Sequence, residues 1–205
     1  MPDIESDFAA RGLTYAAANL FESPELEAII RRLSQTNPPA PFAMLHYKPL
    51  SRIDIVTGVM RDLPLRKHPA TEVRSAGDAG DGLFAAETIR PGTFVGEYTG
   101  RIVVVPQTDV QGLSERNGYL FVLGLLGPFM HDGDMAQAFI DAEPAGNHTR
   151  FANHSFAPNC ASGSVLLEDG WHVFLATNRT IEPGEQLVYD YGKGYWASRK
   201  APLEI

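Results

Sequence analysis

A single cysteine, Cys160, stands in 205 residues. One thiol cannot form an intramolecular disulfide, and no multi-cysteine zinc site can be built from it. Long apolar runs are missing too. The most apolar stretch, YLFVLGLLGPFM at 119–130, is too short to span a bilayer and is interrupted by Gly and Pro. The opening MPDIESDFAA lacks the basic-then-apolar order of a secretory signal. These absences lead us to expect an intracellular protein, cytoplasmic or nuclear, with no membrane partner. An excess of cationic residues is also lacking, with 17 Lys and Arg against 25 Asp and Glu and a net charge of −8. Direct nucleic-acid binding wants a basic face, so it is not expected. A basic partner steered by opposite charge fits, although a modest acidic excess also serves plain solubility.

What is present is the composition of a cored protein, with 44% apolar and 20% charged residues and no internal repeat. The first seventy residues differ in texture from the rest. SPELEAIIRRL at 23–33 predicts a helix, with Ser23 as N-cap, Pro24 in the first helical position and Glu25 and Glu27 in the first turn. Leu26, Ile29, Ile30 and Leu33 recur at helical spacing. The prolines of TNPPAPF at 36–42 end it, and RIDIVTGVM at 52–60 alternates enough to predict a strand. From about Thr71 short β-rich stretches alternate with Gly, Pro, Asn and Asp. GLFAAETI, TFVGEYTGRIVVV, YLFVLGLL, SVLLE and WHVFLATNRTI are the expected strands, and IRPGT (89–93) and IEPGE (181–185) the expected Pro-Gly turns of type II. The polar stretch 131–149 reads as a long loop with one helical turn, of the kind that is often functional.

Three short segments carry candidate chemistry. Gly77, Gly80 and Gly82 in GDAGDGLFA suggest either a phosphate-cradling loop or a glycine-rich turn between strands, and no Lys-Ser/Thr follows to favour the former. RFANHSFAPNC at 150–160 is either a self-capped polar turn or a site, with His154 either a buried hydrogen-bonded ring or a working one. GEQLVYDYG at 184–192 places Tyr189 and Tyr191 two apart on one side of an extended segment. HDGD at 131–134 is a solvated loop more readily than a metal site, and no metal is expected.

In order along the chain, Gly-x-Gly-Leu-Phe-Ala, Glu-Tyr-x-Gly, Tyr-Leu-Phe, Arg-Phe-x-Asn-His-Ser-x-x-Pro-Asn and Gly-Glu-x-Leu-x-Tyr-Asp-Tyr-Gly closely resemble the SET-domain protein lysine methyltransferases. The likeness spans roughly Thr71 to Trp196. It implies a mainly β (α+β) fold of several small antiparallel sheets with a C-terminal pseudoknot, preceded by a small, partly helical N-terminal region. The domains expected are a flanking region over 1–70, the SET domain over 71–196 and a tail over 197–205. The resemblance also implies S-adenosylmethionine as cofactor, set beside Asp81, Gly82, Leu83, Asn153 and His154. Arg150 and Phe151, counted with that set, would mostly support the crossing. Tyr191 matches the tyrosine at the point of methyl transfer, Tyr119 the one that contacts the substrate amine from the other side, and Tyr189 the position that tunes how many methyls fit. A tyrosine there implies mono-methylation.

The match departs from the family pattern in two places. Phe156 stands where members often have Cys, and GKGYWASRK follows the last motif without the zinc-binding cysteines many members carry. No zinc is expected, and Tyr195 and Trp196 either close the channel with aromatic surface or pack as an edge on the core. The expected partner is a lysine-containing protein, histone tails included, and a short bacterial form acting on a host's chromatin is among the readings. The alternatives are a non-catalytic SET-like module that binds a protein or peptide, and a methyltransferase for a small amine.

Overall fold

A computed structural model describes residues 4–36, 52–123, 126–196 and 199. In chain order its elements begin with α1 (Ile4–Ala10), β1 (Thr14–Tyr15), α2 (Pro24–Thr36), α3 (Arg52–Asp62), β2 (Thr71–Ser75), β3 (Asp81–Ala85) and β4 (Phe94–Glu97). They continue with β5 (Arg101–Pro106), α4 (Val110–Arg116), β6 (Leu120–Val122), β7 (Phe129–His131), β8 (Asp134–Asp141) and β9 (Ala145–Gly146). A 3-10 turn at His148–Phe151, then β10 (Asn153–His154), β11 (Cys160–Leu167), β12 (Gly170–Thr177), β13 (Val188–Tyr189) and α5 (Lys193–Trp196) complete the list. The sheets are small and mostly antiparallel, as expected, with β1–β9 and β10–β13 the parallel pairs. In α2 the Leu26 N–H donates to Ser23 Oγ at 3.1 Å, which is the N-cap bond the sequence predicts.

The chain divides into two units. The first comprises 1–41, 98–147 and 166–171. Its sheet runs β5-β8-β6, with β7 hairpinned onto β8. Gly100 is required there, because a Cβ would stand 2.4 Å from the Asp141 carbonyl oxygen. The stretch 131–149 is therefore not a long loop. Asp132 and Gly133, at φ 50° and 91°, form the tight hairpin turn that an Asp-Gly pair favours, and β8 supplies the sheet's central strand. Ala136, Ala138, Phe139 and Ile140 of β8 are all buried. Ala136, Ala138 and Ile140 share one face and Gln137 and Phe139 the other, and burial of both faces, not strict alternation, hid this strand in the sequence.

The second unit comprises 42–97, 148–165 and 172–205. Its core contains Leu83, Phe94, Val95, Phe174, Leu175, Ile181 and Leu187, each no more than 2% exposed. Both Pro-Gly turns form as predicted: the Thr93 N–H donates to Arg90 O and the Glu185 N–H to Glu182 O, with Gly92 and Gly184 at φ 75° and 86°. The segment 52–60, expected as a strand, is helical. Its Ile and Val residues favour strands, but Ile53, Val56, Val59 and Leu63 also repeat at helical spacing, and tertiary packing decides. Val59 and Leu63 are buried, and Gly58 presses its backbone on the Pro91-Gly92 turn, where a Cβ would lie 2.3 Å from the Gly92 oxygen.

Candidate active site

Segment 184–189 is held from two sides within the second unit. Toward β3, the Ala85 N–H donates to Glu185 O, the Gly184 N–H to Ala85 O and the Leu187 N–H to Leu83 O, at 2.8–2.9 Å. Toward β10, Asn153 pairs with Val188 and His154 with Tyr189 in parallel register. Asn159 locks this second side. Its side chain, 2% exposed as a residue, donates to Gln186 O at 2.8 Å and accepts the Val188 N–H at 2.9 Å. The two segments of the expected crossing are thus direct hydrogen-bonded partners, and motifs a hundred residues apart are placed side by side.

At the glycine turn, the exposed Asp81 offers its carbonyl to the Asn153 amide at 3.1 Å. Gly82 has a packing reason: a Cβ would stand 2.6 Å from Gln186 Nε2. The Leu83 side chain is wholly buried, so it serves the core while its main chain holds segment 184–189. Arg150 and Phe151 are buried as well, with the guanidinium 4.9 Å above the Phe151 ring. That placement makes them supports of the Asn-His segment.

Tyr191 is fixed at both ends by residues 152–154. Its hydroxyl donates to Ala152 O at 3.0 Å, and its backbone N–H donates to His154 Nδ1 at 3.2 Å. The second bond makes Nδ1 an acceptor, so the neutral imidazole carries its proton on Nε2. Burial lowers the His154 pKa below the ordinary histidine value, against the opposing pull of the Asp190 carboxylate and the Tyr189 carbonyl. A ring of aromatics surrounds the pair. His154 lies 4.4 Å from Phe156 and 4.8 Å from Trp196, while Tyr191 lies 4.7 Å from both Tyr189 and Tyr195. Phe156, the departure from the family pattern, therefore packs edge-on against the Asn-His segment.

Tyr119 belongs to the first unit. The residue is 38% exposed, and its backbone is set by Asn117, which accepts the Tyr119 N–H at 2.8 Å and donates to Asp141 at 2.9 Å. The second unit thus brings together Asp81, Gly82, Asn153, His154, Tyr189 and Tyr191. Sequence reasoning gave no role to Ala152 or Gln186 and only a motif place to Asn159. Ala152 acts through its carbonyl, which no side-chain pattern can signal, whereas the Pro-Asn of the motif pointed toward Asn159.

The donor set can be tested against the cofactor that the motifs imply. Two buried donors next to this strip, Gln186 Nε2 and His154 Nε2, have no hydrogen-bond partner among the described residues. Beside them stand flat aromatic surface at Phe156 and Trp196 and the exposed main chain of the turn. Unpaired donors suit the acceptor atoms of a carboxylate and a nucleoside, and aromatic faces attract a sulfonium cation. The residues fit such a group. Among the described residues, no three His, Cys, Asp or Glu side chains gather as a metal site would require. No described helix is long and apolar enough to cross a membrane.

Comparison with known proteins places the chain in a family. A family model described as the SET domain matches residues 80–192, more than half of the chain. The chain is similar to the histone-lysine N-methyltransferase MEDEA of Arabidopsis thaliana, 32% identical over 118 residues that are 56% of this chain and 16% of that protein. It is also similar to the histone-lysine N-methyltransferase EHMT1 of Homo sapiens, 36% identical over 123 residues, 58% of this chain and 9% of that protein. The match therefore spans a small part of these relatives' length. Among solved structures, ATXR5 in complex with mono-methylated histone H3.1 aligns at a TM-score of 0.60 over 95% of this chain and 86% of that chain. At 18% identity, that likeness is one of fold. An active polycomb repressive complex 2 in the basal state aligns at 0.50, with 28% identity over 62% of this chain and 16% of that chain.

Proposed function

The chain belongs to the SET-domain family, and from that premise we propose that it is a protein lysine N-methyltransferase that uses S-adenosylmethionine. The observation that carries this reading is Tyr191, held at hydroxyl and backbone by one short segment and walled by aromatic rings. When bound, the cofactor supplies an electrophilic methyl group on a sulfonium, which is lost to an attacking amine as the carbon–sulfur bond breaks.

Only a neutral lysine amine has the lone pair to attack. From a reference pKa of about 10.4, neutralising it at pH 7 costs roughly 4–5 kcal/mol. The aromatic surroundings of Tyr191 oppose a full ammonium by excluding water, which lowers that cost. With its O–H donated to Ala152, the phenol oxygen acts on a further group as an acceptor, so it orients an amine N–H and does not protonate it. Asp81, Gly82, Asn153 and His154 are the residues we assign to holding the cofactor, with the unpaired donors at Gln186 and His154 facing its acceptors. Tyr119 is assigned to the substrate amine on the resemblance alone. Tyr189, packed against Tyr191, supports a narrow transfer point and mono-methyl product.

Lysine-rich protein tails, histones among them, are the proposed substrate class, in line with a net charge of −8. Calorimetric titration with S-adenosylmethionine alone tests the cofactor assignment. Saturable binding, weakened in Asn153→Ala, is expected, whereas no binding would leave a SET-like binding module instead. Mass spectrometry of the methylated lysine tests product state, and a product dominated by trimethyl-lysine would overturn the assignment of Tyr189.

A further inference from the structure

Away from the aromatic wall, two histidines from distant parts of the chain stand ring to ring within the second unit. His68 lies in the connection from α3 to β2, and His148 opens the 3-10 turn. Their ring centres are 4.5 Å apart, with the planes inclined at 40°. Each ring is anchored through one nitrogen to a backbone carbonyl. His68 Nδ1 meets Pro69 O at 3.1 Å, and His148 Nε2 meets Val95 O at 3.0 Å. A carbonyl only accepts, so these nitrogens carry the protons, and each neutral ring keeps its lone pair on the other nitrogen. On His148 that lone pair sits at Nδ1, which is buried and has no hydrogen-bond partner among the described residues. His68 is exposed, so the pair opens to solvent on its side.

We propose that His68 Nε2 and His148 Nδ1 form a two-imidazole site for a divalent transition-metal ion of the Cu(II) or Ni(II) class. An N–H donated to a backbone carbonyl is the support that orients metal-binding imidazoles and raises their basicity, and both rings have it. The spacing selects the metal. A metal–nitrogen bond of about 2.0–2.1 Å puts an ion about 3.2 Å from the centre of each ring it binds. Rings 4.5 Å apart then meet the ion at roughly a right angle. That is the angle between neighbouring ligands in tetragonal Cu(II) and Ni(II), and it is narrower than the tetrahedral angle of zinc. Two imidazoles are fewer than the three side chains of a closed, resident site, so water completes the coordination and the ion exchanges. A bound ion cross-links the connection entering β2 to the turn that leads into Ala152 and His154, and it thereby stabilises the folded second unit.

The test is calorimetric titration of the untagged, chelator-treated full chain with Ni(II), repeated with Zn(II), for the wild type, His68→Ala, His148→Gln and His131→Ala. The wild type binds one equivalent of Ni(II), more tightly than Zn(II). His68→Ala weakens Ni(II) binding by about tenfold or more, because a chelate is reduced to a single ligand. His148→Gln does the same, whereas His131→Ala, which removes a histidine outside the pair, leaves binding unchanged. Thermal melts without metal verify that His68→Ala, a change at an exposed position, is folded. Melts in excess Ni(II) raise the melting temperature of the wild type and not of His68→Ala. Electron paramagnetic resonance of the Cu(II)-loaded wild type shows coupling to two imidazole nitrogens, one of which is lost in His68→Ala. No Ni(II) binding by the wild type, or binding that His68→Ala leaves unchanged, overturns the site and leaves the two rings as packing alone. Zn(II) binding as tight as Ni(II) overturns the right-angle geometry and with it the choice of metal.

Discussion

His154 and Tyr191 are joined through the backbone of one and the imidazole of the other, with the Tyr191 N–H donating to His154 Nδ1 at 3.2 Å. The tyrosine's own hydroxyl returns to Ala152, two residues before that histidine. A tyrosine anchored at both ends by two residues of one short segment cannot drift relative to the Asn-His segment. Transfer chemistry is sensitive to such placement, because misalignment of about 1 Å can cost a hundredfold in rate.

His154→Ala leaves the Tyr191 N–H without its partner, a loss of about 1–3 kcal/mol if no water replaces the ring. Methyl transfer should fall further than stability does, since Tyr191 loses its alignment. Asparagine at this position has an acceptor to offer and should recover part of the rate. Parallel thermal melts and initial rates on the same preparations check this, and equal activity of Ala and Asn variants would argue against the positioning role.

His148 supplies a pH dependence with a defined sign. It is 7% exposed, its Nε2 meets Val95 O at 3.0 Å, and burial, with a smaller contribution from His68, lowers its pKa from 6.5 to about 4. The fold therefore favours the neutral ring. Between pH 6.5 and about 4 the unfolded chain binds a proton that the folded chain refuses, so stability present above 6.5 is lost as pH falls through that window. The full shift corresponds to about 3 kcal/mol. Denaturant melts at pH 7 and pH 4.5 should show His148→Gln losing less stability than the wild type over this interval. An equal loss in both would remove His148 as the source.

Asn159 is expected to matter more than its exposure to any ligand would suggest. Truncation to Ala strands the half-buried Gln186 carbonyl and Val188 N–H, at up to about 1–3 kcal/mol for each group left unpaired. Asn159→Asp keeps the acceptor and loses the donor, so it should fall between the two in thermal unfolding. A melting temperature for Asn159→Ala within error of the wild type would show that the segment crossing is held elsewhere.

Gly58→Ala tests the helix that replaced an expected strand. The added methyl meets the Gly92 carbonyl oxygen, and overpacking of this kind costs about 1–3 kcal/mol. At this chain length, that is a fall in melting temperature of about 2–4 °C per kcal/mol. A neutral or stabilising outcome, as alanine gives in an open helix, would contradict the close packing.

How much of this could be read beforehand follows from the kind of interaction each residue makes. The cap of α2 and the two Pro-Gly turns were legible because each is decided by neighbours within four residues. The segment 52–60 was misread because β-branched residues carry a strand preference that the packing of Gly58 overrides. Strand β8 was missed because both of its faces are buried, Ala136 and Ala138 on one and Phe139 on the other, which leaves no alternating signal, although the Asp132-Gly133 pair did mark its hairpin. In the site, Tyr191, His154 and Asn153 stood out through their motif. The partners that fix them, Ala152 O, Gln186 and the main chain of Leu83, come from segments whose adjacency only the fold creates.

The measurement that bears most directly on the account is mass spectrometry of core histones incubated with S-adenosylmethionine and either the wild type or Tyr191→Phe. The wild type should add a single methyl mass to lysine, and loss of the hydroxyl held by Ala152 should lower the yield by about a hundredfold or more. Undiminished transfer by Tyr191→Phe would contradict the assignment of that tyrosine, and no transfer by either protein would contradict histones as the substrate.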